Sequence, residues 1–358
     1  MTPRSSGVEA PAPDRANRIR SGELMDRAVR GLPGWDRADW IPAVLPAVDA
    51  VLADHSLART GPPVEVRRWS LSRVLRVPTA RSPVWLKIVP ALFAHEGRVT
   101  RWVQGRAPLL VPEVLAAGDS WMLTRDLPAE HAGPSGHPVL DIAALQIDAC
   151  GHTGQLRTLG CPDRTLADIA AGVTGLAGRN DLLAEADTRT LRAALPALER
   201  VRRTVTALDV PPTLVHGDLH LGNARYTGQG WMIIDWTDAT IGYPFLDLAQ
   251  PLADAEPVSR AQLRDRYGRA WRAVLPDQVV RAALETAPAV GAAYHAATHL
   301  RILEAVGVTA ELRGSLGTWT RRLCAELAGL AGLAGLAGPA GPAGLPSRPD
   351  RPNWGGCA

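Results

Sequence analysis

The chain divides by the period of its apolar positions. From Val64 to Val89 they come in short runs (Val64-Glu65-Val66, Leu71 to Val77, Val84 to Val89) bounded by Pro78 and Pro83, which predicts antiparallel strands. Ala91 to Gln104 switches to helical spacing, with Leu92, Glu96, Val99 and Val103 on one face. Val114 to Leu123 predicts two further short strands around the turn Gly118-Asp119-Ser120. Ahead of the strands, Trp40, Val44, Val48 and Leu52 mark a helix with Pro42 near its first turn. Beyond Asp126 the helical period dominates. A loop rich in Gly, Pro and His, Pro128 to Pro138, leads into a helix near Leu140 to Leu156. Leu191, Leu195, Leu198, Val201, Val205 and Leu208 then recur at steps of three and four, and Pro211-Pro212 ends that helix. Two short apolar strands follow, Thr213 to Val215 and Trp231 to Ile234, and helices fill most of Arg260 to Leu327.

Strands first and helices afterwards give an α+β, two-lobed chain. The expected division is an N-terminal lobe with a small antiparallel sheet over residues 21–125 and a mainly helical C-terminal lobe over 126–326. Residues 1–20, rich in Pro, Ser, Ala and Arg, are expected to be a disordered lead. Residues 327–358 are expected to be a disordered tail: they repeat Leu-Ala-Gly and then Pro-Ala-Gly. The uncharged repeat is long enough to raise the question of a membrane span, but Gly at every third position and Pro339 and Pro342 argue against one.

Composition narrows the function classes. A hydrophobic content of 46% and a charged content of 21% are those of a soluble globular protein. The net charge of +3 argues against a nucleic-acid partner. Cys150, Cys161, Cys324 and Cys357 have no metal-ligand spacing, and no apolar stretch follows Met1, so the expected location is the cytoplasm. Of the 39 basic residues all but one are arginine, the exception being Lys87. A composition that replaces lysine so thoroughly leaves it where a compact ammonium serves and a planar guanidinium would not.

The chemistry concentrates after Val215. In His216-Gly217-Asp218-Leu219-His220-Leu221-Gly222-Asn223 an aspartate stands five residues before an asparagine, directly after an apolar strand. Twelve residues beyond Asn223, Met232-Ile233-Ile234 delivers Asp235. A hairpin of this form brings Asp218, Asn223 and Asp235 toward one spot. Phosphoryl transfer needs such a set: a carboxylate to orient the attacking hydroxyl and oxygen ligands to hold Mg²⁺ on the phosphates.

The stretch resembles the H-G-D-x-H-x-x-N loop and I-D-x motif of the aminoglycoside phosphotransferase family, small-molecule relatives of protein kinases. Gly242-Tyr243-Pro244-Phe245-Leu246-Asp247-Leu248-Ala249 is similar to the family's downstream G-x-P-x-x-D-L-A element. The resemblance runs from about Val64 to Leu252 and implies a protein-kinase-like fold. It implies an ATP- or GTP-dependent phosphotransferase acting on a hydroxyl of a small molecule. Asp218 would be the catalytic base and Asn223 and Asp235 the Mg²⁺ ligands, with His216 and Asp247 supporting the loop. Lys87, on the strand candidate Val84 to Val89, and Glu96, on the next helix, match the kinase pair that contacts the nucleotide phosphates. The segment Trp69 to Val84, where a glycine-rich phosphate cover would fall, has no glycine, so Ser70, Ser72 and their amides would substitute. Leu123-Thr124-Arg125-Asp126 stands at the hinge, where its backbone, Arg125 included, would meet the purine.

Several residues keep a plainer alternative. His220 serves either loop architecture or substrate contact, and Asp238 can cap a turn. Tyr294, His295 and His299 share a helix that floors a substrate pocket or packs into the core. A metallophosphoesterase would read His216-x-Asp218-x-His220 as metal ligands, but the further His and Asp motifs it needs are missing. A pseudokinase-like regulatory protein would keep the fold without chemistry, and the complete Asp218, Asn223 and Asp235 set argues against it. Residues 251–326 hold eight acids and ten arginines, a balance that mildly disfavours a polycationic aminoglycoside and leaves a neutral or anionic hydroxylated metabolite, such as a sugar, amino alcohol or natural product, at least as well suited.

Overall fold

The computed structural model describes residues 15–32, 40–128, 130–131 and 137–336. The chain separates into two compact units, Met1–Gly97 with Glu113–Leu127, and Arg98–Pro112 with Pro128–Ala358.

In the first unit, α1 (Arg15–Arg30) and α2 (Trp40–Asp54) precede β1 (Val64–Trp69), β2 (Ser72–Val77) and β3 (Val84–Ile88). The helix α3 (Glu96–Arg106) begins in this unit and carries the chain into the second, and β4 (Val114–Gly118) and β5 (Trp121–Arg125) complete the first. The strands form one sheet in the order β1-β2-β3-β5-β4, every neighbouring pair antiparallel. Alternation along β3 sets its two faces: Val84, Leu86 and Ile88 are buried, and Trp85 and Lys87 point the other way. The buried face joins Leu75, Val77 and Leu123 to Met25 of α1 and to Trp40, Val44, Val48 and Leu52 of α2. Burying side chains of this kind stabilises by about 1.5–3 kcal/mol each, which is why two helices ahead of the first strand are held against the sheet.

The expected lead of residues 1–20 needs correction where the structure describes it, because α1 starts at Arg15. Its apolar anchors Met25 and Val29 lie one turn apart beyond residue 20, so the first turns look like polar lead while belonging to one amphipathic helix. Asp26 fixes the helix further by accepting from Trp121 Nε1 at 2.7 Å. Residues 1–14 lie outside the described residues.

The second unit adds α4 (Val139–Ala149), α5 (Thr153–Thr158), β6 (Asp163–Arg164), α6 (Leu166–Leu176), α7 (Glu185–Ala207), β7 (Thr213–Val215), β8 (Ala224–Tyr226), β9 (Trp231–Ile233) and β10 (Thr240–Gly242). It closes with α8 (Ala249–Asp254), α9 (Pro257–Arg272), α10 (Asp277–Val306) and α11 (Ala310–Leu336). β10 runs parallel to β6 and antiparallel to β7, and β8 and β9 pair as a hairpin. At the centre, α10 buries Gly291, Ala292, Ala293, Ala296 and Ala297. A Cβ on Gly291 would lie 2.2 Å from Ala249 Cβ, so this glycine sets how closely α8 approaches.

The tail expectation also changes, since α11 continues past Leu327 to Leu336. Leu312, Leu316, Leu323 and Leu327 are buried along it. Two strong helix formers in every Leu-Ala-Gly triplet carry the helix through the glycines. The remainder of the repeat, with Pro339 and Pro342, lies outside the described residues. No helix among the described residues is long and apolar enough to cross a membrane.

Candidate active site

β7 is buried throughout, and its C-terminal end releases the loop 216–223. His216 is fully buried beside the edge of Trp236, the ring centroids 4.7 Å apart. Its Nδ1 accepts the Asp218 N–H at 3.2 Å, and its Nε2 lies 3.1 Å from Ile234 O. A backbone N–H can only donate, so Nδ1 is bare and the proton sits on Nε2, donated to Ile234. Burial lowers the His216 pKa and keeps the ring neutral. The imidazole thereby ties the loop to the residue before Asp235.

Gly217 follows with φ +86°, and a Cβ there would lie 2.4 Å from Asp238 O and 2.5 Å from Tyr294 Oη. Tyr294 Oη donates to Asp238 O at 2.8 Å, so the tyrosine supports the loop from α10 rather than standing free in a pocket. His295, next to it, is buried and stacks on Trp319 at 4.0 Å between centroids. Burial lowers the pKa of both His295, to about 3, and His299.

Asp247 is 4% exposed, in the short turn Pro244–Leu248. It accepts the backbone N–H of His216 at 2.9 Å, that of Gly217 at 2.8 Å, and Gln146 Nε2 at 2.8 Å. Gln146 Oε1 accepts in turn from Tyr267 Oη, which fixes the direction of the amide. Burial pushes the Asp247 carboxyl up to about 7, against the pull of these donors. Gln146 and Tyr267 were not singled out from sequence. They stand on helices distant in the chain, and no local spacing marks them.

Asn223 Nδ2 donates to Asp218 O at 3.0 Å and to Asp218 Oδ2 at 3.2 Å. His220 Nε2 stands 3.6 Å from the same carboxylate oxygen, and its Nδ1 accepts the Gly222 N–H at 3.0 Å. Burial, the largest single influence, would raise the Asp218 pKa; the His220 contact, together with the nearby His295 and His216, holds the carboxyl below its ordinary value. The same contact with Asp218 raises His220. Ile234 N–H donates to Asn223 O at 2.9 Å and brings Asp235 to this loop. Asp235 sits in the left-handed region, φ 66° and ψ 63°, and its Oδ1 accepts from Thr237 Oγ1 at 2.8 Å. Asp218, Asn223 and Asp235 thus meet within the second unit.

The donor set suits a hard cation. Both amide contacts of Asn223 run through Nδ2, so its Oδ1 and the Asp235 carboxylate are the neutral and the charged oxygen that could hold such a cation. Among the described residues there is no group of three or more His, Cys, Asp or Glu able to hold a metal. That set is what the metallophosphoesterase reading would require.

The other predicted residues belong to the first unit. Lys87 Nζ donates to Glu96 Oε1 at 2.7 Å, with the glutamate buried in the first turn of α3. Ser70 and Leu71 form a two-residue turn between β1 and β2, where Trp69 pairs with Ser72. Ser70 Oγ is buried without a hydrogen-bond partner, and Ser72 is buried in β2. The Arg125 side chain is engaged by Glu113 at 2.8 Å.

Solved structures share this architecture. A macrolide 2'-phosphotransferase type I matches with a TM-score of 0.51 and 19% identity, covering 80% of this chain and 97% of its own. The GDP and kanamycin complex of APH(2")-IIia matches at 0.53 and 12%, covering 80% and 99%. The Plasmodium vivax ethanolamine kinase matches at 0.54 and 9%, covering 87% and 94%. At such identities the likeness shows the fold, which is kinase-like with an antiparallel sheet followed by helices. No curated protein matches. The family model described as the phosphotransferase enzyme family, APH, matches residues 64–284, a span that takes in Lys87, the 216–223 loop, Asp235 and Asp247, and the chain belongs to that family.

Proposed function

We propose that the protein transfers the γ-phosphoryl group of ATP or GTP to a hydroxyl of a small molecule. The observation that carries this reading is the Asp218–Asn223 pair: one amide holds the carboxylate through Nδ2 and offers its own oxygen to a cation. Asp218, kept ionised, accepts the proton of the attacking hydroxyl and aims that oxygen at phosphorus. Asn223 and Asp235 would hold Mg²⁺, which when bound neutralises charge on the phosphates. Lys87, braced by Glu96, contacts the phosphates; the Ser70 and Ser72 amides take the place of a glycine-rich cover, and the Arg125 backbone meets the purine. His216 and Asp247 hold the loop in register. The GDP complex of a fold relative supports nucleotide use.

We assign nucleotide binding to residues 21–125 and catalysis with acceptor binding to 126–326, in a cytoplasmic protein without nucleic-acid or membrane partners. Asp218→Asn keeps the size and the Asn223 contact while removing the base. Turnover with Mg²⁺ and nucleotide is expected to fall by about 10²–10⁴, with nucleotide affinity unchanged by calorimetry. Intact turnover in this variant would falsify the mechanism.

A further inference from the structure

The helix α3 makes different contacts on two of its faces. On one, Glu96 holds Lys87 Nζ at 2.7 Å, and Gly97 lies so close to the sheet that a Cβ there would stand 2.7 Å from Trp121 O. On the other, Arg98, Trp102 and Arg106 recur at every fourth position, and within the second unit each engages α4, α5 or the residue after α5. Arg98 Nε donates to Leu159 O at 2.9 Å, and Trp102 Nε1 donates to Gln155 Oε1 of α5 at 3.2 Å. Arg106 Nη1 pairs with Asp148 Oδ2 of α4 at 2.8 Å. The Arg106 guanidinium also lies over the Trp102 ring at 4.5 Å, and that ring meets His152 with centroids 6.1 Å apart. Resting on the phosphotransferase reading above, in which Lys87 contacts the nucleotide phosphates, we propose that Arg98, Trp102 and Arg106 are positioning residues for Lys87. They act through Glu96, by setting the rotation of the helix that carries it.

The geometry of a helix makes this specific. An α-helix turns by about 100° per residue. Arg98, Trp102 and Arg106 therefore form a stripe about 80° wide, and Glu96 and Gly97 lie about 120–140° around the helix from its middle. Contacts placed so far round fix a helix against rotation about its own axis, which a single ion pair at its first turn does not. A slip of α3 by one residue would turn Glu96 by about 100° and carry its carboxylate off the ammonium. Val99 and Val103 are fully buried and hold the helix down, but apolar burial has no direction. The stripe supplies the direction, because an indole N–H and a guanidinium each need an acceptor at one place. Any loss of this hold lowers the fraction of molecules with Glu96 on Lys87. The apparent affinity for a ligand that needs the ammonium falls in proportion to that fraction, whereas a ligand without phosphates is unaffected.

The test is calorimetric binding to the full chain of ADP against adenosine, and of GDP against guanosine. The double variant Trp102→Ala, Arg106→Ala alters a half-buried and an exposed position. It is expected to bind the preferred diphosphate about 10-fold more weakly and its nucleoside as the native protein does. Gln155→Ala, on the exposed face of α5, removes the acceptor of Trp102 without touching α3 and should weaken the diphosphate by about threefold. In a Glu96→Gln background the double variant should add nothing further, because the route through Glu96 is already broken. Unchanged diphosphate affinity in either variant, equal losses for diphosphate and nucleoside, or the full loss persisting beside Glu96→Gln overturns the proposal. If the native protein binds neither diphosphate more tightly than its nucleoside, the phosphate role of Lys87 fails and the proposal with it. A native preference for the diphosphate that survives both variants sinks the positioning role alone.

Discussion

Asp247 makes no contact with the Asp218 carboxylate, yet it holds two consecutive backbone N–H groups of the loop that carries it. Its folded-state pKa of about 7 lies above the ordinary value of 3.8. The folded form therefore retains a proton that the unfolded chain has lost, and this contribution to stability is complete below about pH 4 and lost as the pH rises through 7. Asp247→Asn has no such titration. The stability advantage of the native protein over this variant is expected to shrink between pH 5 and pH 8, as read from urea midpoints at both. A gap that stays constant from pH 5 to pH 8 would show that the three N–H donors outweigh burial and keep the carboxylate ionised throughout.

At the scale of the element, the loop depends on how closely the turn at Asp238 and Tyr294 of α10 approach Gly217. Gly217→Ala asks for a left-handed alanine, costing about 1–2 kcal/mol, and drives a methyl group into Asp238 O and Tyr294 Oη. The expected result is a folded protein with turnover lowered at least about 10-fold, the far-ultraviolet circular dichroism being retained. Much of this element was legible in the sequence. The Asp218, Asn223 and Asp235 spacing places three groups at adjoining strand ends, and β2, β3 and α7 fall where their periods put them. What was not legible is carried by contacts across long stretches of chain. Gln146 reaches Asp247 across 101 positions, and Tyr294 reaches Asp238 across 56, from helices whose local pattern reads only as buried. α1 and the far end of α11 were obscured for the opposite reason. Composition averaged over their segments hid helices that tertiary burial and propensity sustain.

At the scale of the whole molecule, each unit has its own means of burying apolar surface. The first is a sheet with one face covered by two helices ahead of β1, and the second is a helical assembly around α10. Trp40, 3% exposed at the start of α2, is a large side chain holding that cover in place. Trp40→Ala is expected to cost about 3–5 kcal/mol, measured by denaturant unfolding of the full chain. A loss below about 1 kcal/mol would mean that α2 contributes little to the sheet's stability.

The ion pair of Lys87 with Glu96 has a consequence for chemical labelling. With one lysine in 358 residues, an amine-acylating reagent has a single side-chain target besides the terminal amine. That target is 13% exposed and held 2.7 Å from a buried carboxylate. The mass added to the intact protein therefore counts the fraction of molecules in which this one pair has opened. No peptide mapping is needed to say which side chain reacted once the terminal amine is blocked.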